Sequence, residues 1–275
     1  MDINNKILAK LQELQRKEGE LPQYLELYRQ LLLIQIEVNI PHQKSSLTEV
    51  EIAATLRKGT PLLEWDALSS SIDWTIFQQL FRKAATTISK YTEPTPKDLN
   101  DVSFNLAPLQ EIAKAWYEGS PLSSQENTKG IAEELLDATI HCAMKPFLTA
   151  QGNALIKLVD QEQWRRRICP VCGGKPDFAF LEKERGARWL LCSRCDTEWL
   201  FQRLECPYCG TQNQNELAYF ADDKELYRLY VCQQCHTYLK AVDLRRTDSE
   251  VLLPLERLLT VDMDRQGREK GYKGG

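Results

Sequence analysis

Apolar residues recur at three- and four-residue spacing through the first part of the chain, which is the signature of helices with one buried face. Ile7, Leu8, Leu11 and Leu14 form one such face. Pro22 suits the first turn of a second helix carrying Leu25, Leu31, Leu32, Ile36 and Val38, and Pro41 stops it. Ser46 with Glu49 three residues later has the pattern of a capping box for a helix running to Arg57, ended by Gly59 and Pro61. Trp74, Phe77, Leu80 and Phe81 give another helical face, Pro94, Pro96 and Pro108 break up the segment after Tyr91, and Leu109 to Trp116 is a further short helix. From Ile131 to Trp164 the pattern is strongly helical again, with Pro146 expected to kink or split it.

Beyond Arg167 the period changes. Short apolar triplets, Phe178-Ala-Phe, Trp189-Leu-Leu and Leu229-Tyr-Val, each stand near a pair of cysteines and read as small strands. After Arg246 the stretch from Val251 to Val261 returns to helical spacing despite Pro254, and Gly267 onward reads as a loose tail. The pattern therefore predicts α plus a small amount of β: an all-helical domain over 1–163, a four-cysteine metal-binding part over 164–246 built of two tandem rubredoxin-like or zinc-ribbon modules, and a C-terminal helix and tail over 247–275.

Composition narrows the setting. With 275 residues, of which 43% are hydrophobic, the chain can bury a sizeable core without metal everywhere. A net charge of −4 gives no global field for nucleic acid or anionic lipid. No apolar run, Leu31 to Ile34 included, comes near the length that spans a bilayer, and the first residues lack the basic and apolar regions of a secretory signal. The expected location is the cytoplasm, where thiols stay reduced and close cysteine pairs act as metal ligands rather than disulfides.

Eight of the nine cysteines form four Cys-x-x-Cys pairs: Cys169/Cys172, Cys192/Cys195, Cys206/Cys209 and Cys232/Cys235. Two intervening residues let a tight turn aim both sulfurs at one ion, and a second turn completes a tetrahedral four-thiolate site. An internal repeat indicates the grouping. Cys169-Pro-Val-Cys-Gly173 followed by Cys192-Ser-Arg-Cys-Asp-Thr197 is echoed by Cys206-Pro-Tyr-Cys-Gly210 followed by Cys232-Gln-Gln-Cys-His-Thr237. Sequential pairing is the simplest arrangement; a crossed one remains open. The glycines after Cys172 and Cys209 permit a left-handed turn. Either zinc or iron suits such a donor set, giving two metal ions. Thiolate charge at both sites is offset by a surplus of three basic residues between Trp164 and Arg246, where 14 Lys and Arg face 11 Asp and Glu. Arg165, Arg166, Arg167, Arg194 and Arg203 are the nearest in sequence to the pairs.

A closed four-thiolate site leaves no open position for catalysis, so the ions are expected to act in folding or, if iron, in redox chemistry. Cys142 on a helical face beside His141 reads as a buried small hydrophobe, and His236, directly after Cys235, is a spare ligand at most. There is no phosphate-binding glycine loop, no serine elbow and no His-Glu-x-x-His motif. An enzyme is not expected, and the absence of a basic stripe argues against nucleic-acid binding. Trp199, Tyr208 and Tyr238 are aromatic residues near the pairs that either anchor a partner or pack the small modules.

Trp164 before Cys169-Pro-Val-Cys-Gly-Gly-Lys-Pro176, then Trp189-Leu-Leu-Cys-Ser-Arg-Cys-Asp-Thr-Glu-Trp199, Arg203 before Cys206-Pro-Tyr-Cys-Gly210, and Cys232-Gln-Gln-Cys-His-Thr-Tyr-Leu-Lys240 together resemble the formate dehydrogenase accessory proteins, the FdhE family. Gly59-Thr-Pro-Leu-Leu63, Lys145-Pro-Phe-Leu148 and Gly271-Tyr272 are weaker echoes of the same layout, so the resemblance spans nearly the whole chain. It implies a cytoplasmic, non-enzymatic factor needed for active formate dehydrogenase, in contact with that enzyme's immature catalytic subunit, and cysteine motifs of rubredoxin type. The alternative class is a rubredoxin-like electron carrier with iron in the four-cysteine sites.

Overall fold

A computed structural model describes residues 2–40, 48–92, 105–124, 128 and 130–275. Contacts divide the chain into two compact units, Met1–Gln43 with Glu64–Ala150, and Lys44–Leu63 with Gln151–Gly275. In chain order the helices before the first strand are α1 (Ile3–Glu18), α2 (Gln23–Ile36), α3 (Glu49–Lys58), α4 (Trp65–Ser71), α5 (Trp74–Ile88), α6 (Leu106–Glu118), α7 (Glu133–Leu155) and α8 (Gln161–Trp164). None is long and apolar enough to cross a membrane.

The first unit is helical. α2 packs on α1 and α5, and α5 on α6. Part of each face read from spacing is buried, Ile7 and Leu11 in α1, Leu25 and Leu32 in α2, and Phe77, Leu80 and Phe81 in α5, while Ile36 at the end of α2 is exposed. Two prolines behave differently from expectation. Pro108 does not interrupt a helix but occupies the third residue of α6, where a backbone N–H has no intrahelical partner in any case. Pro146 lies inside α7 without splitting it. Its missing N–H leaves the Cys142 carbonyl four residues back without the usual donor, and the Gln35 side chain of α2 supplies one at 2.9 Å. The helix is carried through its proline by a neighbour.

The predicted stop at Pro41 and the predicted breaks at Pro94 and Pro96 lie outside the described residues, as do Ser46 and His42. A capping box does open α3, from Thr48 and Glu51 rather than Ser46 and Glu49. The Glu51 carboxylate accepts from the Thr48 amide at 2.8 Å, and the Thr48 hydroxyl accepts from the Glu51 amide.

In the second unit the strands are β1 (Pro176–Leu181), β2 (Arg188–Cys192), β3 (Glu198–Phe201), β4 (Leu217–Ala221), β5 (Tyr227–Cys232) and β6 (Thr237–Asp243), followed by α9 (Leu253–Leu259), α10 (Val261–Glu269) and a two-residue strand β7 (Lys273–Gly274). β1–β2–β3 and β4–β5–β6 are two antiparallel meanders, one per cysteine repeat. They join into one sheet of order β3-β2-β1-β6-β5-β4 because β1 and β6 run parallel, Phe178 opposite Lys240 through Leu181 opposite Asp243. The join makes β6 central, and all seven of its residues are buried.

α9 and α10 return to this sheet. Leu253 completes a core with Phe178, Phe180, Leu191 and Val242. Gly267, read from sequence as the start of a loose tail, is a buried residue of α10, where an added Cβ would stand 2.6 Å from the Tyr238 ring. Beyond it β7 pairs with β6, so the tail is a strand of the sheet.

Candidate metal centres

Each cysteine pair sits in a turn built the same way. The Gly173 amide donates to the Cys169 carbonyl at 3.0 Å and the Gly210 amide to the Cys206 carbonyl at 3.0 Å, with both glycines left-handed at φ +71° and +79°. The second turn of each repeat ends in the same conformation without a glycine, at Asp196 (φ 55°) and His236 (φ 52°). Left-handed backbone costs a side-chain-bearing residue about 1 kcal/mol, so the turn geometry is imposed on these two positions by what it holds in place.

Strand ends bring the turns together in sequential fashion. Cys169, Cys172, Cys192 and Cys195 form one cluster and Cys206, Cys209, Cys232 and Cys235 the other, each with its four sulfurs within 4.8 Å of one another. Sulfur separations are 3.4 Å for Cys172 to Cys192 and to Cys195, 3.6 Å for Cys169 to Cys195, and 3.7 Å for Cys206 to Cys235 and Cys209 to Cys232. A tetrahedron with metal–sulfur distances of about 2.3 Å has an edge of about 3.8 Å. A disulfide needs about 2.05 Å. All eight cysteines are free, and each cluster can hold a metal ion. His236 is not part of the second cluster; its ring lies against Tyr272.

The electrostatics repeat as well. Burial pushes the Cys169 thiol up, and it pushes Cys206 up to about 12. Burial also opposes charge on Cys195 and Cys235, yet both are pulled below the ordinary thiol range by hydrogen bonding with the other sulfurs of each cluster and with the Thr197 and Thr237 side chains. The Cys-x-x-Cys-x-Thr half of each repeat thus carries the preferred thiolate. Cys142 is unlike these eight. It is buried in the helical unit, its thiol pushed up to about 12 by that burial, which suits a packing residue and not a nucleophile.

The arginines chosen by sequence proximity divide in their roles. Arg167 donates to the Tyr208 carbonyl at 2.7 Å, inside the turn that carries Cys206 and Cys209. Arg166 lies over the Trp164 ring, Arg165 pairs with Glu162, and the Arg194 amide donates to the Cys192 sulfur at 3.4 Å. Two further arginines, Arg188, which is buried, and Arg257, which is half-buried, stand outside that group. Arg188 of β2 donates to the carbonyls of Gln202 and Glu205, the latter next to Cys206, and lines a cavity of about 30 Å³ with Cys206 and Cys232. Arg257 of α9 reaches Asp177 at 3.2 Å, Asp196 at 2.8 Å and the Cys192 carbonyl at 3.3 Å. The available signal was weak, since an arginine that will be buried looks like any solvated one in sequence. Trp199 and Tyr238 are buried and pack the sheet, with Trp199 donating to the Arg166 carbonyl at 2.8 Å, while Tyr208 is half-buried.

Glycine is required at one further position. A Cβ on Gly174 would stand 2.8 Å from the Cys192 sulfur, closer than real Cβ contacts allow. With an ion in each cluster, Gly174→Ala should displace that sulfur and lower the metal content from two ions toward one, as read by metal analysis. Two full equivalents in the variant would show that the site tolerates the added carbon.

Comparison with known proteins follows the same lines. The family model "FdhE, central domain" matches residues 168–203, which contain the whole first cluster. A protein named "Protein FdhE homolog" from Aquifex aeolicus is 29% identical over 231 residues, covering 82% of this chain and 76% of that protein. One of the same name from Shewanella oneidensis is 28% identical over 136 residues, covering 48% of this chain and 45% of its own length, so there the match spans less than half of the relative. The crystal structure of the FdhE protein from Pseudomonas aeruginosa shares the fold, with a TM-score of 0.65 at 21% identity over 98% of this chain and 91% of that one.

Proposed function

Starting from a chain that belongs to the FdhE family of formate dehydrogenase accessory proteins, we propose that it is a cytoplasmic maturation factor that binds the immature catalytic subunit of that enzyme. In this reading the eight clustered cysteines hold two metal ions, zinc or iron, and the chain itself catalyses nothing. The observation that carries it is the family match falling on the first cluster and its flanking strands, the part of the chain with the most specific chemistry. Four thiolates close each coordination sphere, so a bound ion has no position left for substrate. What a bound ion supplies is folding energy and rigidity for the sheet that presents the surface.

Deleting the gene should abolish or sharply reduce formate dehydrogenase activity, with the dehydrogenase polypeptide still made, and the intact gene in trans should restore it. Normal activity in the deletion strain would remove the proposal. A second reading, electron transfer, is favoured by the partial exposure of Cys209 and Cys235. It predicts red protein that bleaches with dithionite when purified without oxygen; about two colourless zinc ions per chain would dismiss it.

A further inference from the structure

The two clusters are alike in turn geometry and unlike in cover. All four cysteines of the first are buried, whereas Cys209 and Cys235 of the second are partly exposed. The difference traces to what lies over each.

Several segments seal the first cluster. The amides of Leu62 and Leu63 donate at 2.9 Å to the carbonyls of Pro170 and Val171, between Cys169 and Cys172. Pro61 lies against Gly173, Gly152 lies against Thr197 and Cys195, and Arg257 bonds to the Cys192 carbonyl. Opening this cluster means moving all of them.

Over the second cluster lies the short segment Gly271–Gly275, anchored through α10. The Tyr272 amide donates to the Gly267 carbonyl at 3.0 Å, and Gly271 turns the chain at φ +84°. From there the Tyr272 hydroxyl accepts from Gln233 at 2.6 Å, the Tyr272 ring stands against His236, and the Lys273 amide donates to the His236 carbonyl at 2.8 Å. Gly275 lies against the Tyr208 ring. The contacts fall on residues adjoining the two partly exposed sulfurs, Tyr208 before Cys209 and His236 after Cys235. The segment has one buried side chain, Tyr272, and its strand is two residues long. Segments with so few buried contacts open locally at small free-energy cost.

We propose that the second cluster is the exchanging metal centre and that Gly271–Gly275 is the strap that sets its rate, while the first cluster is sealed. This rests on the reading that both clusters hold metal. Opening exposes Cys209 and Cys235 to an incoming thiolate or chelating ligand, to which the metal passes without change of oxidation state; the four cysteine sulfurs take up protons as it leaves.

The test uses the full chain loaded with zinc under reducing conditions, with two ions per chain verified before a zinc-binding dye is added in excess. Release is expected in two phases of equal amplitude. Tyr272→Ala should speed the fast phase about tenfold or more and leave the slow phase unchanged. Tyr272→Phe, which loses the Gln233 bond and keeps the ring, should fall between and guards against a variant that folds poorly. Release in a single phase, or a fast phase indifferent to Tyr272, overturns the strap. Protein that never carries two ions before the dye is added overturns the metal reading beneath it, a failure seen at a different step.

Discussion

Cys172→Ser is expected to halve the metal content and to produce the largest loss of stability of any single substitution in the sheet unit. The Cys172 sulfur is buried and lies 3.4 Å from both Cys192 and Cys195, so it has the closest sulfur neighbours of its cluster. A serine hydroxyl at that point ionises far less readily than a thiol and is a poor ligand for a soft site. Four-thiolate ions contribute on the order of 10 kcal/mol of folding energy in small zinc modules. Here part of that is shared with β1, β2 and the packing of α9, so the variant should remain folded at low temperature and melt well below the parent. Metal analysis with a thermal melt of the full chain checks both halves of the expectation. Two ions per chain and an unchanged melt would mean that Cys172 is not a ligand of the first site.

Asp243→Asn should be the costliest change away from the cysteines. The side chain of Asp243 is fully buried at the end of β6, where the two meanders join. Its carboxylate accepts from Arg228 at 2.8 Å and from Arg245 at 2.8 and 2.6 Å, and the Arg228 side chain is itself buried. Burial opposes ionisation of Asp243, but the Arg245 hydrogen bonds and the Arg228 charge outweigh it and hold the carboxyl below its usual range. An amide cannot balance two guanidinium groups, one of them out of water. Breaking a buried pair in this way costs about 3–5 kcal/mol. The sign with pH follows from the lowered value: the stabilisation is complete above the ordinary carboxylate range and is lost as pH falls through the folded-state value, so parent and variant should converge in acid. Urea midpoints at pH 7 and in the acid range decide it. A difference under about 1 kcal/mol at neutral pH would show that the triad is solvated rather than buried.

Local signals carried most of the architecture from sequence. The cysteine spacing is a statement about one turn at a time, and the Pro and Gly residues that close those turns stand beside the sulfurs they position. Helical faces were equally legible, since Phe77, Leu80 and Phe81 reach the core at the spacing that announced them. What stayed hidden was contact at long range. Nothing in the residues near Phe178 indicates that Lys240 will lie opposite it in a parallel pair, because 62 residues and a whole second meander separate them. That α7 is not split at Pro146 was hidden for the same reason, since the donor to the freed carbonyl is Gln35. The segment Gly59–Leu63 read locally only as the end of a helix and Gly271–Tyr272 only as tail, and each lies on a cysteine turn, the first on Cys169–Cys172 and the second beside Cys235.

The parallel join of β1 to β6 has a consequence for self-association. It adds one meander to the next head to tail, a heterologous contact, and contacts of that kind propagate into open-ended polymers unless an end is blocked. At the β3 edge the block is a single side chain: Gln161 of α8 accepts from the outward Leu200 amide at 3.1 Å, taking the place a further strand would use. The far edge, β4, carries Tyr219 and Phe220 exposed. Blocking one of the two edges is enough to stop such growth, because a copy added at the other edge presents the same blocked β3 edge in its turn, which keeps a duplicated module from growing into a fibre.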